Sequence, residues 1–150
     1  MTEKPDPASL SGLQQLHLAF HPEAPPVGIG KTMGFSLESV EEGRVVFVGT
    51  PGRAVYNPIG TVHGGYAATL LDSALGCAIH STLAPGQASS TAELKISYLR
   101  AMTDATGPVR AEGKALHVGR RIGFAEGRIT DAAGRVYATA STTCVVFERA

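Results

Sequence analysis

The residues that could do chemistry lie between positions 57 and 72. Two glycines, in His63-Gly64-Gly65, precede an apolar run that contains one carboxylate, Asp72. A helix that begins near Gly64 presents unpaired backbone N–H groups and the positive end of its dipole. Glycine also leaves no side chain to block a ligand there. Such a helix end could stabilise a carbonyl oxygen that becomes negative during attack on an acyl carbon. The alternative is an ordinary glycine-rich start of a helix.

Asp72 is the unusual residue of the apolar run. Aspartate is a poor helix-interior residue and is seldom buried without a partner, yet nearby residues such as Leu71 and Ala74 are apolar. Gly76, one turn later on the same face, leaves space beside it. Asp72 is therefore either a catalytic carboxylate or a structural one that accepts hydrogen bonds from an amide or a hydroxyl.

The spacing between Gly64 and Asp72 limits how they can cooperate. Eight residues of helix separate their backbones by about 12 Å. A carboxylate that attacks an acyl carbon must come near contact with it, while the carbonyl oxygen lies about 3 Å from its N–H donors. Two antiparallel copies across a twofold axis could meet both conditions. The spacing thus predicts an active site built from two subunits.

Four further side chains are candidates for the site. Asn57 could hydrogen-bond a ligand carbonyl or a water, or it could simply be a turn residue. His63 invites a general-base interpretation, but no serine or cysteine nucleophile lies in a recognisable pattern near it, which favours a structural hydrogen-bonding role. Ser90 and Thr91 carry hydroxyls, either of which could orient a water beside Asp72.

Arg120 and Arg121 follow Gly119 at the tip of a predicted hairpin. Paired arginines at a hairpin tip are usually solvated, but their planar, permanently charged groups also suit phosphate recognition. Both interpretations stay open at this point.

The composition is that of one ordinary globular domain spanning 1–150, with 13 basic and 13 acidic residues. This balance gives no reason to expect nucleic acid or an anionic membrane as a partner. The longest apolar stretch is too short for a membrane span and no signal peptide is evident, so the cytoplasm is expected. Cys77 and Cys144 make neither a disulfide framework nor a zinc spacing, and we expect buried free thiols and no metal.

The surrounding sequence predicts the elements that position these residues. Residues 1–8 are expected to form a disordered tail, followed by a helix near 9–20 and a proline-rich loop over 21–30. Residues 66–80 are apolar nearly all round, which is typical of a helix wrapped by other structure. Alternation and turn residues predict strands over 35–40, 44–50, 92–98, 109–117, 121–130 and 136–147.

This order predicts an α+β fold in which a curved antiparallel sheet of about six strands wraps around one long buried helix. Strands that follow one another through short turns form an antiparallel meander. A single sheet has two exposed edges that need covering, and edge-to-edge dimerisation is one solution.

With these residues in view, the chain resembles the hotdog-fold acyl-CoA thioesterases of the phenylacetate-degradation (PaaI-like) type. Their signature is an asparagine, six residues, the first glycine of His-Gly-Gly, and an acidic residue nine after the histidine. Asn57, Gly64 and Asp72 match it in full, and residues 94–99 and 118–121 also resemble the family. The resemblance covers about residues 30–148.

The resemblance implies hydrolysis of acyl-CoA or aryl-CoA thioesters without any cofactor. By analogy, the Gly64 amide polarises the thioester carbonyl, and Asp72 is the nucleophile or the general base. Asn57 helps to hold the carbonyl or the water. Thr91, or failing that Ser90, positions the water. His63 and Gly65 would contact the substrate, and Gly119, Arg120 and Arg121 would lie near the CoA moiety. The family forms homodimers with a continuous sheet, commonly paired into homotetramers.

Two other functions remain as alternatives. A hotdog dehydratase would need a histidine paired with a carboxylate near the acyl chain, and His63 keeps that possibility open. A non-catalytic acyl-CoA-binding module would be expected to lack the acidic residue in the buried helix, whereas Asp72 is present.

Overall fold

The chain folds into three α-helices and six strands within residues 5–22 and 28–149, the part that the computed structural model describes. The helices are α1 (Gly12–Ala19), α2 (Gly28–Met33) and α3 (Gly64–His80). The strands are β1 (Phe35–Glu41), β2 (Arg44–Gly49), β3 (Gln87–Tyr98), β4 (Val109–Val118), β5 (Ile122–Asp131) and β6 (Val136–Glu148). Single 3-10 turns occur at Pro7–Ser9 and Arg53–Val55.

All six strands belong to one antiparallel sheet, in the order β1-β2-β4-β5-β6-β3. Between β2 and β3 the chain passes across one face of the sheet as α3. β3 then pairs with β6 at the edge of the sheet opposite to β1. β1 and β3 are consequently the edge strands. β3 is 12 residues long and pairs with β6 alone in the described chain. The predicted curved sheet around one long helix is confirmed.

α3 lies unusually close to the middle of the sheet because two glycines face it. Gly113 of β4 and Gly127 of β5 are direct cross-strand partners. A Cβ atom on Gly113 would lie 2.4 Å from the Ala74 carbonyl oxygen, and one on Gly127 would lie 2.6 Å from Leu75 Cδ1. At Gly113 the clash would be with the helix backbone, so the helix can take this position only over glycine there. At Gly127 the added atom would also clash with the Glu112 carbonyl oxygen of β4. Gly113 thereby allows the helix that carries Asp72 to pack close to the sheet.

The core forms between α3 and the inner face of the sheet. Eight helix side chains are fully or almost fully buried: Tyr66, Ala67, Leu70, Leu71, Ala74, Leu75, Ala78 and Ile79. Phe47 of β2 adds edge-to-face contacts with Phe35 and with Phe20, which follows α1. Each large apolar side chain buried in this way stabilises the fold by about 1.5–3 kcal/mol.

One side of α3 departs from the predicted all-round apolar helix. Thr69, Asp72, Ser73 and Gly76 recur at helical spacing and are half-buried. Hydroxyls on this side bond back to the helix itself, since Thr69 Oγ1 donates to the Gly65 carbonyl and Ser73 Oγ to that of Thr69, both at 2.8 Å. The side is turned toward the β3 edge of the sheet. The prediction of a helix that is apolar nearly all round and wrapped by other structure does not hold on this side.

The chain before β1 also differs from expectation. The predicted first helix is present, but it begins at Gly12, because Ser11 and Gln14 form a capping box. Pro7–Ser9 form a capped turn where a disordered tail was expected, and residues 1–4 lie outside the described part. The loop expected over 21–30 is wrong at its end, where α2 begins at Gly28; residues 23–27 lie outside the described part.

β3 begins at Gln87, five residues before its predicted start. Its pairing with β6 shifts between Thr91 and Glu93, so that Ala92 is a bulge. A bulge inserts one residue into the two-residue alternation that the prediction used. The alternation of apolar and polar residues is therefore regular only after the bulge, which is why the sequence predicted only that part of the strand.

Candidate active site

Asp72 and Thr91 are brought together by the contact between α3 and β3. Thr91 Oγ1 donates a hydrogen bond of 2.9 Å to Asp72 Oδ1. Asp72 is half-buried on the helix, and Thr91 is exposed on the edge strand. Within the described residues, Asp72 Oδ2 accepts no hydrogen bond. Thr91 thus fixes the orientation of the carboxylate and leaves one oxygen available.

The space beside this carboxylate is open on the side of Gly76. A Cβ atom on Gly76 would meet nothing closer than Thr91 Oγ1, at 3.9 Å. Because glycine adds no bulk, a small group can approach the carboxylate from this side.

Two thiols flank the pair, and burial keeps both protonated. Cys144 Sγ lies 3.8 Å from Thr91 Oγ1, and burial raises the pKa of this thiol. Burial, with a smaller effect from the charge of Asp72, raises the pKa of Cys77 to about 12. Both cysteines are free, as predicted, although Cys77 is only half-buried. Neither thiol can supply a thiolate near neutral pH, so neither cysteine is a candidate nucleophile.

The start of α3 leaves one backbone donor free. His63 is the N-cap residue, and its Nδ1 accepts the Gly65 N–H at 2.8 Å. The Tyr66 N–H donates to the His63 carbonyl oxygen at 3.0 Å. Within the described residues the Gly64 N–H donates to no acceptor. The free donor at this helix end is thus the Gly64 N–H. The Gly65 N–H is not free, because it donates to His63 Nδ1.

Asn57 holds a turn in this chain. Its Oδ1 accepts hydrogen bonds from the Ile59 and Thr61 backbone N–H groups, at 3.1 and 3.2 Å, and its Nδ2 donates to Thr61 Oγ1 at 2.9 Å. These contacts correspond to the turn alternative, and they shape the loop that leads into α3.

Tyr98 is a site residue that the sequence did not identify. It is the last residue of β3, and its hydroxyl donates a 2.9 Å hydrogen bond to the Gly64 carbonyl oxygen. Tyr98 and Gly64 line a largely apolar cleft of about 480 Å³, together with Ala67, Met102 and Tyr137. The alternation of β3 placed Tyr98 on the inner face, but its position beside the helix start follows from the strand order.

Two loops close the same end of the sheet and are bonded to each other. Arg53 Nε donates to Asp104 Oδ2, and the Tyr56 hydroxyl donates to Asp104 Oδ1, both at 3.0 Å. These bonds, with that of Arg53 the largest effect, lower the pKa of the Asp104 carboxyl. The Val62 N–H also donates to the Met102 carbonyl oxygen at 2.9 Å. The loop before α3 is thereby held in place where it meets the cleft.

Arg120 and Arg121 lie at the opposite end of α3. They are exposed between β4 and β5, and Arg120 borders a second cleft of about 650 Å³ with Gly119, His117 and Thr82. Since α3 is about 25 Å long, this cleft is remote from Gly64 of the same chain.

Ser90 is not brought to Asp72. It pairs with Val145, on the outer face of the sheet, because neighbouring residues of a strand point to opposite faces.

Apart from Asn57 and Ser90, the predicted residues therefore form three groups within one chain. Asp72 lies with Thr91, Gly64 lies with His63 and Gly65, and the arginine pair lies at the far end of the helix. Asp72 does not line the Gly64 cleft. Within the described residues there is no group of three or more histidine, cysteine or acidic side chains that could hold a metal ion. Likewise, none of the described helices has the length and hydropathy to cross a bilayer.

Comparison with known proteins relates this architecture to a family of enzymes. Residues 59–138 match the thioesterase superfamily. The chain is 26% identical over 120 residues to a 1,4-dihydroxy-2-naphthoyl-CoA hydrolase of Listeria monocytogenes, with coverage of 80% of this chain and 96% of the relative.

Solved structures agree with this match. The Streptococcus mutans protein smu.793, solved bound to acetyl-CoA, is 26% identical with a TM-score of 0.72, covering 86% of this chain and 98% of that one. The E. coli PaaI protein, 23% identical, has a TM-score of 0.77 and covers 91% and 93%. The predicted family, fold and enzyme class are confirmed: the chain belongs to the thioesterase superfamily and is a thioester hydrolase with the hotdog fold.

Proposed function

We propose that the protein hydrolyses acyl-CoA thioesters to the free acid and CoA, with Asp72 and Gly64 as the reacting and polarising groups. The observation that carries this proposal is the pairing of an oriented carboxylate with an unused backbone N–H on one helix. Thr91 holds Asp72 Oδ1, and the Gly64 N–H remains free at a cleft. The relatives from Listeria and Streptococcus mutans, a CoA-thioester hydrolase and a protein bound to acetyl-CoA, are consistent with this substrate.

In the reaction, the thioester carbonyl oxygen accepts the Gly64 N–H and gains negative charge as the carbonyl carbon is attacked. In one route Asp72 Oδ2 attacks, the carbon–sulfur bond breaks, and CoA leaves as a thiolate that takes a proton from water. Water then hydrolyses the resulting anhydride and restores the carboxylate. In the other route Asp72 takes a proton from an attacking water and returns it to the departing thiolate. Thr91 orients the carboxylate in both.

The site is shared between two chains in this proposal. β3 is a long edge strand whose outer side has no partner within the described residues, which makes it a template for pairing with another strand. Pairing of β3 with β3 of a second chain would continue the sheet across a twofold axis. The half-buried polar sides of the two α3 helices would then face each other in opposite directions. This arrangement can bring Asp72 of one chain to Gly64 of the other.

We place the CoA phosphates near the hairpin that carries Arg120 and Arg121. Both arginines are exposed, and Arg120 lines the second cleft, so their guanidinium groups are accessible to anions. This cleft lies just beyond the C-terminal end of α3, since Thr82 and Leu83 line it, and Asp72 lies about 12 Å from that end along the helix axis. A CoA whose thioester lies at Asp72 could therefore extend toward its own chain's arginines.

A homotetramer would form through the outer face of the sheet. Four large apolar side chains are exposed there: Ile122, Phe124, Val145 and Phe147. Ile122 and Val145 are direct cross-strand partners, so the patch is continuous across β5 and β6. The long helix α3 packs on the opposite, inner face. A second dimer of this chain is the partner that we propose for it.

The alternatives are less well supported by the site. A dehydratase would need His63 paired with a carboxylate, but among the described residues no carboxylate hydrogen-bonds to His63, whose Nδ1 accepts the Gly65 N–H. A binding module without catalysis would have no use for an oriented carboxylate with a free oxygen, which Asp72 provides.

Release of CoA from a panel of acyl-CoAs tests the proposed function. The wild-type protein should turn over at least part of a panel with short, medium, long and aryl acyl groups. Asp72→Asn should lower kcat by about a thousandfold or more, while the fold and the dimer survive. Asp6→Asn, which changes an exposed aspartate near the N-terminus, is the matched control and should leave kcat unchanged. Tight association without turnover by the wild type would favour the binding module instead.

A further inference from the structure

The cleft at the start of α3 has one wall that is not part of the core. Met102 and Tyr137 line it with only 6% and 5% of their surfaces exposed, and Tyr137 is held by a hydrogen bond from its hydroxyl to Asp131 Oδ2. Tyr98, in contrast, is 58% exposed. Its cross-strand partner is Ala138, which is small and leaves room for the ring beside it. Tyr98 and its equally exposed neighbour Leu99 are therefore large apolar side chains that bound the cleft from the open side.

The Tyr98 ring is held in place over the first residue of the helix. A Cβ atom on Gly64 would lie 3.0 Å from both Tyr98 Cζ and the phenolic oxygen, so the ring packs directly against the Gly64 backbone. The hydroxyl adds the hydrogen bond to the Gly64 carbonyl oxygen. Packing and hydrogen bond together keep an otherwise exposed aromatic side chain beside the free Gly64 N–H.

We propose that Tyr98 is a specificity-determining residue, whose ring limits the size of the acyl group that can bind with its carbonyl at the Gly64 N–H. This inference rests on the proposed function. A carbonyl oxygen that reaches the Gly64 N–H places the adjoining acyl carbons within the cleft that Tyr98 bounds. The cleft volume of about 480 Å³ exceeds the roughly 150 Å³ of a cavity that holds benzene. Removal of the ring would lengthen this space along β3.

The two parts of the tyrosine have separate roles that variants can distinguish. Tyr98→Phe keeps the ring and removes the hydrogen bond to Gly64, so the order of preference among acyl groups should stay as in the wild type. Tyr98→Ala removes the wall. The ratio of kcat/KM for long or bulky acyl-CoAs to that for short ones should then rise about tenfold or more, which is the usual effect of reshaping an apolar pocket.

The experiment measures kcat/KM over acetyl-, butyryl-, octanoyl-, dodecanoyl- and phenylacetyl-CoA for the wild type, Tyr98→Phe and Tyr98→Ala. Tyr98→Leu provides a second truncation if the alanine variant does not fold. A parallel series measures dissociation constants for S-alkyl-CoA thioethers of the same chain lengths, which cannot be hydrolysed. A shift of both series toward longer chains in the truncated variants supports the inference.

An unchanged relative profile in the truncated variants would overturn it, even if overall activity fell. If the wild type turned over none of the thioesters, the proposed function would fail. The thioether series would still decide the role of Tyr98: longer chains should bind at least tenfold more tightly in the truncated variants, and equal dissociation constants would refute it.

Discussion

Thr91 Oγ1 on the edge strand donates a 2.9 Å hydrogen bond to Asp72 Oδ1 on the buried helix. This bond joins the two elements that border the open edge of the sheet. It also makes the two carboxylate oxygens inequivalent, because Oδ1 has a protein donor and Oδ2 has none in the described part of the chain. The bulge at Ala92 follows directly after Thr91, which pairs with the buried Cys144. The local irregularity of β3 therefore coincides with the residue that orients Asp72.

Thr91→Val should lower kcat by about 10- to 100-fold, because a hydrogen bond to a charged group is worth about 1.5–3 kcal/mol. Valine keeps the shape of threonine, and Thr91 is exposed, so the fold should be unaffected. Steady-state kinetics on a well-turned-over acyl-CoA would measure the effect. Thr91→Ser restores a hydroxyl and should recover most of the activity. Wild-type kcat in Thr91→Val would mean that Asp72 needs no orientation by this residue.

The sequence predicted the elements that depend on local pattern. The buried helix and the six strands follow from apolar periodicity. Asp72 and Gly64 became candidate site residues because a carboxylate is unusual in an apolar helix and a glycine at its start leaves the helix end open. Contacts between distant segments were not predictable. Tyr98 contacts Gly64 only because β3 lies at the edge of the sheet beside β6. Ser90 and Thr91 point to opposite faces of β3, and only the structure shows which of the two faces Asp72. α2 was missed because proline and glycine around it resemble a loop.

Replacing both Arg120 and Arg121 with alanine should raise KM for acyl-CoA about 3- to 10-fold, with kcat little changed, if these side chains bind CoA phosphates. The expected effect is modest because exposed charge interactions are weak and screened by salt. The double variant with lysine at both positions keeps the charges, so its KM for acyl-CoA should rise less. A thioester of pantetheine, which lacks the nucleotide, is the control substrate. A similar rise in KM for the pantetheine thioester would indicate a structural role for the hairpin.

Phe124→Glu should convert the proposed tetramer into dimers. A carboxylate introduced into the apolar patch on the outer face would have to be buried without a partner when two sheets meet. Light scattering on a size-exclusion column, or native mass spectrometry, would report the mass. Leu18→Glu alters an equally exposed apolar residue on α1, on the other side of the molecule, and should leave the mass unchanged. A wild-type dimer, or a tetramer that survives Phe124→Glu, would refute this interface.

The shared site makes the strongest prediction, which needs two inactive variants. Asp72→Asn removes the reacting carboxylate. Gly64→Val blocks the helix end, and the backbone there permits it, since Gly64 is not among the glycines with positive φ. A side chain at position 64 would instead displace the Tyr98 ring, which lies 3.0 Å from the new Cβ position. This secondary damage stays in the same half of the site, because Tyr98 and Gly64 belong to one chain.

Subunit exchange between these two variants should restore activity. A mixed dimer collects both lesions in one site and leaves the other intact, so an equal mixture should reach about one quarter of wild-type activity once half of the dimers are mixed. A mixture of Asp72→Asn with Asp72→Ala is the matched control and should stay inactive, since every site then lacks the carboxylate. Native mass spectrometry would verify the mixed dimers. If verified mixed dimers of Asp72→Asn and Gly64→Val remained inactive, each site would have to lie within a single chain, and Gly64 would have to act on a different atom from the one that Asp72 attacks.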